Sequence, residues 1–161
     1  MSALAQSLLE LALAKGAWIA TAESCTAGLI AGEITSAAGS SAIFDRGFVT
    51  YTNAAKADML GVSSATLDEF GAVSEQTAQE MADGALARSN ASVAVSVSGI
   101  AGPGGSEFKP EGRVCFGLAS KIAQTDVQTL DFGAIGRENV RRAAVKHALM
   151  MLIDHLGEKA Q

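Results

Sequence analysis

The chain has 161 residues, of which 48% are apolar and only 5% aromatic, and its formal charge is −5 with a pI near 5.0. This length suits a single domain with a real core, and the acidic charge argues against nucleic acid as a partner. No segment reaches the ~18 apolar residues of a bilayer span, and the N-terminus lacks a signal-peptide pattern, so we expect no membrane partner.

Hydrophobic spacing and capping residues predict helices that alternate with strands. In chain order we expect a helix ending at Gly16, a strand over 17–22, a helix over 26–37, a strand over 45–52, a helix over 54–60 capped by Asn53, a short helix opened by a Thr66–Glu69 capping box, a helix after Ser74, a strand over 92–98, strands over 113–120 and 125–132, and a helix over 137–156. This order predicts a layered α/β fold, and the short link between the last two strands predicts a mixed sheet. No linker divides residues 1–161, so we expect one domain, and the low aromatic content predicts helices lying close to the sheet.

The segment Thr21-Ala-Glu-Ser-Cys-Thr-Ala-Gly28 spans a predicted strand-to-helix turn and carries hydroxyls, a thiol and a carboxylate. Such turns suit chemistry because backbone N–H groups point outward there and favour anions. Ser24 is a candidate nucleophile if a base takes its proton, and otherwise a simple helix cap. Cys25 competes for the same role, because a thiol near a helix N-terminus can have a lowered pKa, although a buried, inert thiol is the commoner fate.

The two cysteines stand 90 residues apart and form neither a disulfide framework nor a zinc cluster. This usage predicts a reduced, cytoplasmic location and no metal site.

Histidine is the usual base for a serine nucleophile, but the chain offers only His147 and His155, both in the last predicted helix. The expected buried stripe of that helix is Val145, Ala148, Leu149, Leu152 and Leu156. His147 points away from this stripe and His155 lies on its flank, so we expect two solvated histidines and no Ser-His-Asp triad.

Lysine can replace histidine as the base when burial lowers its pKa. Lys56 lies one turn into the helix that follows the second predicted strand. If the first two strands are neighbours, their carboxyl ends open onto one crevice, where Ser24 and Lys56 could meet. An ordinary surface lysine is the alternative.

Two features suit an anionic ligand. The glycine loop, residues 99–112, holds five glycines and both prolines, and it could form an anion-binding nest or a simple long turn. It matches neither a P-loop nor a dinucleotide-binding fingerprint. Arg141 faces inward at the start of the last helix, where it could bind an anion or form a salt bridge.

Four segments together resemble a known family: Thr21–Gly28, Gly39-Ser-Ser41 with Phe44-Asp-Arg-Gly-Phe-Val-Thr-Tyr51, Gly71-Ala-Val-Ser-Glu75, and Ser98-Gly-Ile-Ala-Gly-Pro-Gly104. Their order and spacing resemble the CinA C-terminal-domain family, the nicotinamide mononucleotide deamidases, over residues 4–157. The chain resembles the stand-alone form, without the N-terminal nucleotide-binding domain of longer CinA proteins.

This resemblance implies a three-layer α/β/α sandwich with a mixed, mostly parallel sheet of about five strands. It implies hydrolysis of the carboxamide of nicotinamide mononucleotide to nicotinic acid mononucleotide and ammonia, a step of pyridine nucleotide recycling. The resemblance implies no metal and no cofactor, and it implies that the protein forms a homo-oligomer. The catalytic serine and lysine of the family match Ser24 and Lys56, with Tyr51 beside them.

For the substrate we expect contacts from Thr26, Ser41, Ser98, Gly99, Gly102 and Arg141, with the phosphate against the glycine loop and Arg141. Lys109, near the end of that loop, could contact the phosphate or be solvated. The alternative function is a non-catalytic nucleotide-binding module linked to competence or DNA damage, as the family's name suggests. Such a module would not need Lys56.

Overall fold

A computed structural model of the chain describes residues 2–158. The helices are α1 (Ala3–Lys15), α2 (Leu29–Thr35), α3 (Asn53–Leu60), α4 (Ser64–Phe70), α5 (Glu75–Ala87) and α6 (Arg137–Gly157), with one 3₁₀ turn over Ser40–Ala42. The strands are β1 (Ile19–Glu23), β2 (Phe44–Val49), β3 (Val93–Gly99), β4 (Arg113–Ser120) and β5 (Asp126–Asp131). None of the helices within residues 2–158 is long and apolar enough to cross a membrane.

The five strands form one sheet in the order β2-β1-β3-β4-β5. The strands β1, β2 and β3 pair in parallel, whereas β4 runs antiparallel to both β3 and β5, so four of the five strands point in one direction. Helices α1, α2 and α6 pack together on one face, and α5, joined by α3 and α4, covers the other. The predicted α/β fold with a mixed, five-stranded sheet is confirmed.

Small residues let the helix layer on the α5 face approach the sheet closely. A Cβ added to Gly117 of β4 would lie 2.6 Å from the carbonyl oxygen of Ala78 in α5. A Cβ added to Gly84 of α5 would lie 2.0 Å from the carbonyl oxygen of Leu60, the last residue of α3. Since no side chain separates these backbones, α5 holds α3 in a fixed position over the sheet.

Three helix starts differ from the sequence expectation. Helix α2 begins at Leu29 rather than Thr26, because Ala27 and Gly28 adopt left-handed backbone conformations that a helix cannot include. Helices α3 and α4 are capped by the hydroxyls of Thr52 and Ser63 rather than by Asn53 and a Thr66–Glu69 box. In both α3 and α4, a hydroxyl that lies just before the helix accepts a hydrogen bond from the N–H group three residues later, which is the usual capping geometry.

The expectation that His147 is solvated is wrong. Its ring is half-buried and lies edge-on against Phe116, with centroids 4.6 Å apart, and it hydrogen-bonds Gln128 over 2.8 Å. The buried stripe of α6 also includes Val140, Ala144 and Met151, which turns His147 toward the sheet. Burial lowers the pKa of His147, and the ring lies outside the cavity that holds Ser24.

Candidate active site

Ser24 and Lys56 lie together at one edge of the sheet. The Nζ atom of Lys56 is 3.0 Å from the Oγ atom of Ser24, and the two residues are only 1% and 8% exposed, respectively. Lys56 Nζ also donates to the carbonyl oxygens of Thr50, over 2.9 Å, and Tyr51, over 3.3 Å. The amine therefore has three oxygen partners and almost no contact with solvent.

The topology explains this contact. Because β1 and β2 are parallel neighbours, their carboxyl ends meet at the same sheet edge, with Ser24 directly after β1 and Thr50 directly after β2. Thr52 then caps α3, and its hydroxyl accepts the N–H of Ala55 over 3.0 Å. Lys56 follows one residue later, so the first turn of α3 carries its amine back toward Ser24.

A buried carboxylate shapes the turn around Ser24. Glu23 is fully buried, and its oxygens accept hydrogen bonds from the hydroxyls of Thr21 and Thr26 and from the N–H groups of Gly28, Ile30 and Ala31. Glu23 thus occupies the N-terminus of α2, where a negative group is favoured. The helix-cap interpretation of Ser24 is therefore wrong, and its hydroxyl faces Lys56 instead. Thr26 points to Glu23 and does not line the cavity.

The surroundings of Lys56 make its charged form less favourable than in water. Burial lowers the pKa of Lys56, and within residues 2–158 no carboxylate forms an ion pair with it. A neutral amine has two N–H groups and one lone pair. In that form the N–H groups fit the carbonyls of Thr50 and Tyr51 and the lone pair fits the O–H of Ser24, whereas in the charged form the third N–H group donates to Ser24 Oγ.

Burial also favours the neutral form of Cys25, but for a thiol the neutral form is the unreactive one. Burial raises the pKa of Cys25 to about 11, and the opposing effects of its backbone hydrogen bond and of Arg141 are smaller. Only a thiolate is a strong nucleophile, so this environment keeps Cys25 inert although it lies beside Ser24.

A surface cavity of about 320 Å³ opens above the Ser24–Lys56 pair. Its lining comes from six separate stretches of the chain and comprises Ser24, Cys25, Tyr51, Lys56, Ala72, Val73, Ser98–Gly104 and Arg137. A cavity of this size matches a small-molecule ligand. Within the described part of the chain, no group of three or more metal-ligating side chains is present.

Arg137 is the cavity residue that sequence reasoning missed. As the first residue of α6 it reaches across the mouth, where Nη1 donates to the carbonyl of Gly102 over 2.7 Å and Nη2 to the hydroxyl of Tyr51 over 3.2 Å. Tyr51 is 59% exposed and Arg137 is also exposed, so both side chains are accessible to a ligand. The available signal was that Arg137, Arg141 and Arg142 all lie at the start of α6. Helical periodicity, however, predicts that Arg141 is the one that faces inward.

The remaining predicted contacts divide into two groups. Ser98, Gly99 and Gly102 line the cavity, although the hydroxyl of Ser98 donates to the carbonyl of Ala72 over 2.8 Å. Arg141 and Ser41 do not line it. The Nε of Arg141 donates to the carbonyl of Cys25 over 3.1 Å, which braces the Ser24 turn from outside, and Ser41 is exposed on the 3₁₀ turn.

Comparison with known proteins identifies the family of the chain. The sequence model of the CinA C-terminal domain matches residues 1–156. The chain belongs to the CinA C-terminal domain family. A "Nicotinamide-nucleotide amidohydrolase PncC" of Enterobacter agglomerans is 58% identical over 137 residues, which are 84% of this chain and 83% of the relative. The protein of the same name from Escherichia coli K12 is 53% identical over 140 residues, 86% of this chain and 84% of that one.

A solved structure shows the same fold for a CinA relative. The competence/damage inducible protein CihA of Agrobacterium tumefaciens superposes with a TM-score of 0.92 at 52% identity, covering 96% of this chain and 94% of that one. The family that the four sequence segments resemble is thereby confirmed.

In this CinA domain those segments meet at one cavity. Thr21–Gly28 supplies Ser24, Phe44–Tyr51 ends in Tyr51, Gly71–Glu75 supplies a wall, and Ser98–Gly104 supplies the glycine wall. The tripeptide Gly39–Ser41 is the exception, because it forms the 3₁₀ turn away from the cavity.

Proposed function

We propose that the chain is a nicotinamide-nucleotide amidohydrolase, which hydrolyses the carboxamide of nicotinamide mononucleotide to nicotinic acid mononucleotide and ammonia. The observation that carries this proposal is the 3.0 Å contact between Ser24 Oγ and Lys56 Nζ at the base of a ligand-sized cavity. Two relatives that carry the name of this activity are more than half identical to the chain. A nucleotide-binding module would have no use for a buried lysine amine against a serine hydroxyl.

The first half of the proposed reaction forms an ester. Neutral Lys56 takes the proton of Ser24 as Oγ attacks the carboxamide carbon. The resulting tetrahedral intermediate carries a negative oxygen. Protonated Lys56 then gives its proton to the amide nitrogen, the C–N bond breaks, and ammonia leaves an acyl group on Ser24.

The second half consumes water. Lys56, neutral again, takes a proton from a water molecule whose oxygen attacks the ester carbon. As the ester bond breaks, the proton on Lys56 passes to Ser24 Oγ. Nicotinic acid mononucleotide leaves as the carboxylic acid, which loses the second proton of the water molecule to solvent. Lys56 thus shuttles one proton in each half-reaction.

One backbone N–H group suits the negative oxygen. Ser24 N donates to the carbonyl of Val97 and Ala27 N to that of Ser24, whereas the N–H group of Cys25, a residue that lines the cavity, donates to no other residue within residues 2–158. It belongs to the turn that carries the nucleophile, where an oxyanion donor is most useful. A donor of this kind is worth about 3–4 kcal/mol of transition-state stabilisation.

We place the phosphate of the substrate at Arg137 and the glycine loop. A guanidinium has five N–H groups, and Arg137 uses only part of them on Gly102 and Tyr51. A phosphate accepts such groups in paired, charge-assisted hydrogen bonds. Arg141, which we expected in this role, does not line the cavity.

The direct test is ammonia release from nicotinamide mononucleotide by the purified protein. We expect stoichiometric ammonia and nicotinic acid mononucleotide, and no release by a Ser24→Ala variant prepared in parallel. If micromolar enzyme releases no ammonia over hours, the hydrolase proposal fails and the nucleotide-binding module takes its place.

A further inference from the structure

Lys109 in the glycine loop has contacts that the sequence did not suggest. Its Nζ donates to the carbonyl oxygen of Phe70 over 2.5 Å and to that of Val73. The side chain is half-buried, forms no ion pair within residues 2–158, and does not line the Ser24 cavity. Lys109 is therefore neither solvated nor a phosphate contact, which were the two expectations from the sequence.

Lys109 bonds to the segment 70–73, which consists of Phe70, the last residue of α4, and the start of the irregular link to α5. Each of the four carbonyls of this segment nevertheless accepts a hydrogen bond from a side chain. Lys109 binds the first and the last, Ser98 of β3 binds Ala72, and Ser74 and Thr77 bind Gly71. Such a complete set of side-chain bonds holds an irregular segment in one conformation.

Lys109 is the member of this set that belongs to the glycine loop. Ala72 and Val73 form one part of the cavity lining, and residues 100–104 of the glycine loop form another. The bonds from Lys109 therefore tie these two walls together. A close approach is possible because residue 71 is glycine, with its Cβ position 3.3 Å from Lys109 Nζ and a φ of +79° that favours glycine.

We propose that Lys109 is a positioning residue that fixes the spacing of the two cavity walls and thereby the affinity for substrate. The inference rests on the proposed amidohydrolase function for its kinetic consequence only. Ser24 and Lys56 are held by β1, β2 and α3, with which Lys109 forms no hydrogen bond or ion pair in the described residues. The loss of Lys109 therefore weakens binding in the ground state and the transition state alike, and leaves the chemical step nearly unchanged.

The test compares Lys109→Met, which keeps the apolar stem but cannot donate, with Lys121→Met, which removes the same charge from an exposed turn. We expect Lys109→Met to raise KM for nicotinamide mononucleotide about tenfold with kcat within about threefold of the parent. Lys121→Met should change neither constant. Lys109→Arg, which retains charged donors, should recover at least part of the lost affinity.

Hydrogen exchange of the free protein provides the second measurement. Amides of residues 71–74 and 100–106 should exchange faster in Lys109→Met than in Lys121→Met, with no ligand present. Unchanged exchange in both segments overturns the positioning role, as does an equal fall in kcat and kcat/KM. Because exchange needs no turnover, this arm decides the question even if the protein releases no ammonia.

Discussion

At the scale of single residues, the state of Lys56 decides what the site can do. The amine of Lys56 is 1% exposed and has no carboxylate ion pair in the described chain, and burial lowers its pKa. Burial raises the free energy of the ammonium form relative to the neutral amine. This suits the proposed reaction, because a neutral amine is the form that accepts the proton of Ser24.

The pH dependence of turnover follows from this state. Burial holds the pKa of Lys56 in the folded protein below its ordinary 10.5, and the mechanism that we propose uses the neutral amine. Activity should therefore rise with pH through the lowered pKa and level off above it. A profile of kcat/KM against pH measures this limb. A limb that rises only above pH 10 would contradict a desolvated lysine base.

The surroundings of Cys25 also favour Ser24 over Cys25 as the nucleophile. With a pKa of about 11, Cys25 is thiolate in only about one molecule in ten thousand at pH 7. We expect Ser24→Ala to lower kcat by about a thousandfold or more, and Cys25→Ala to keep most of the activity. Ammonia release under saturating substrate checks both variants. The reverse ranking would make the protein a thiol amidase.

At the scale of elements, the site depends on how α3 is held. Gly84 lets α5 touch the last carbonyl of α3, and α3 presents Lys56 to Ser24. A side chain at residue 84 would push α3 outward and lengthen the Ser24–Lys56 contact. Packing between two helices thus sets the distance between Ser24 and Lys56, although neither atom of the Gly84–Leu60 contact lines the cavity.

Substitution of glycines in two helices tests this dependence. Gly84→Ala should destabilise the fold by about 1–3 kcal/mol and lower activity, because overpacking outweighs the helix propensity gained. Gly32→Ala in α2 is the matched control: a Cβ there would meet no atom within 4 Å, so a gain of about 0.5–1 kcal/mol is expected. Urea unfolding measures both. Equal stability changes in the two variants would show that the α3–α5 contact is compliant.

At the scale of the whole molecule, the sheet order gathers the site. With β2, β1 and β3 parallel and adjacent, the chain leaves each strand at the same edge, which brings Tyr51, Ser24 and the glycine loop together. Arg137 closes this arrangement from α6, 86 residues beyond Tyr51 in the sequence. The mouth of the cavity therefore forms only when the last helix has docked.

The loss of Arg137 should affect substrate binding most. Arg137→Met removes the guanidinium beside the glycine loop, and we expect KM for nicotinamide mononucleotide to rise about thirtyfold. Arg142→Met is the control, since Arg142 on the same helix is exposed, pairs with Glu138 and does not line the cavity. Steady-state kinetics measure both constants. An unchanged KM in Arg137→Met would remove the phosphate from this position.

Local patterns in the sequence predicted much of the fold. Hydroxyls before helices, glycines after them and period-two alternation in 92–98 predicted most elements, because caps and strand faces depend on neighbours a few residues away. The mixed sheet and the family follow from the order of those elements and motifs, and both are confirmed. The contact between Ser24 and Lys56 could be expected as well, because parallel neighbouring strands end at the same edge.

Other features were decided only by the tertiary structure. Helix α2 starts late because Glu23 collects the N–H groups of its first turn around a left-handed Ala27. The docked glycine loop selects Arg137 rather than Arg141 for the cavity, and it places Lys109 on the carbonyls of Phe70 and Val73. Sequence by itself determined which groups were available at each turn. Their partners depend on distances between segments far apart in the chain, which no local pattern encodes.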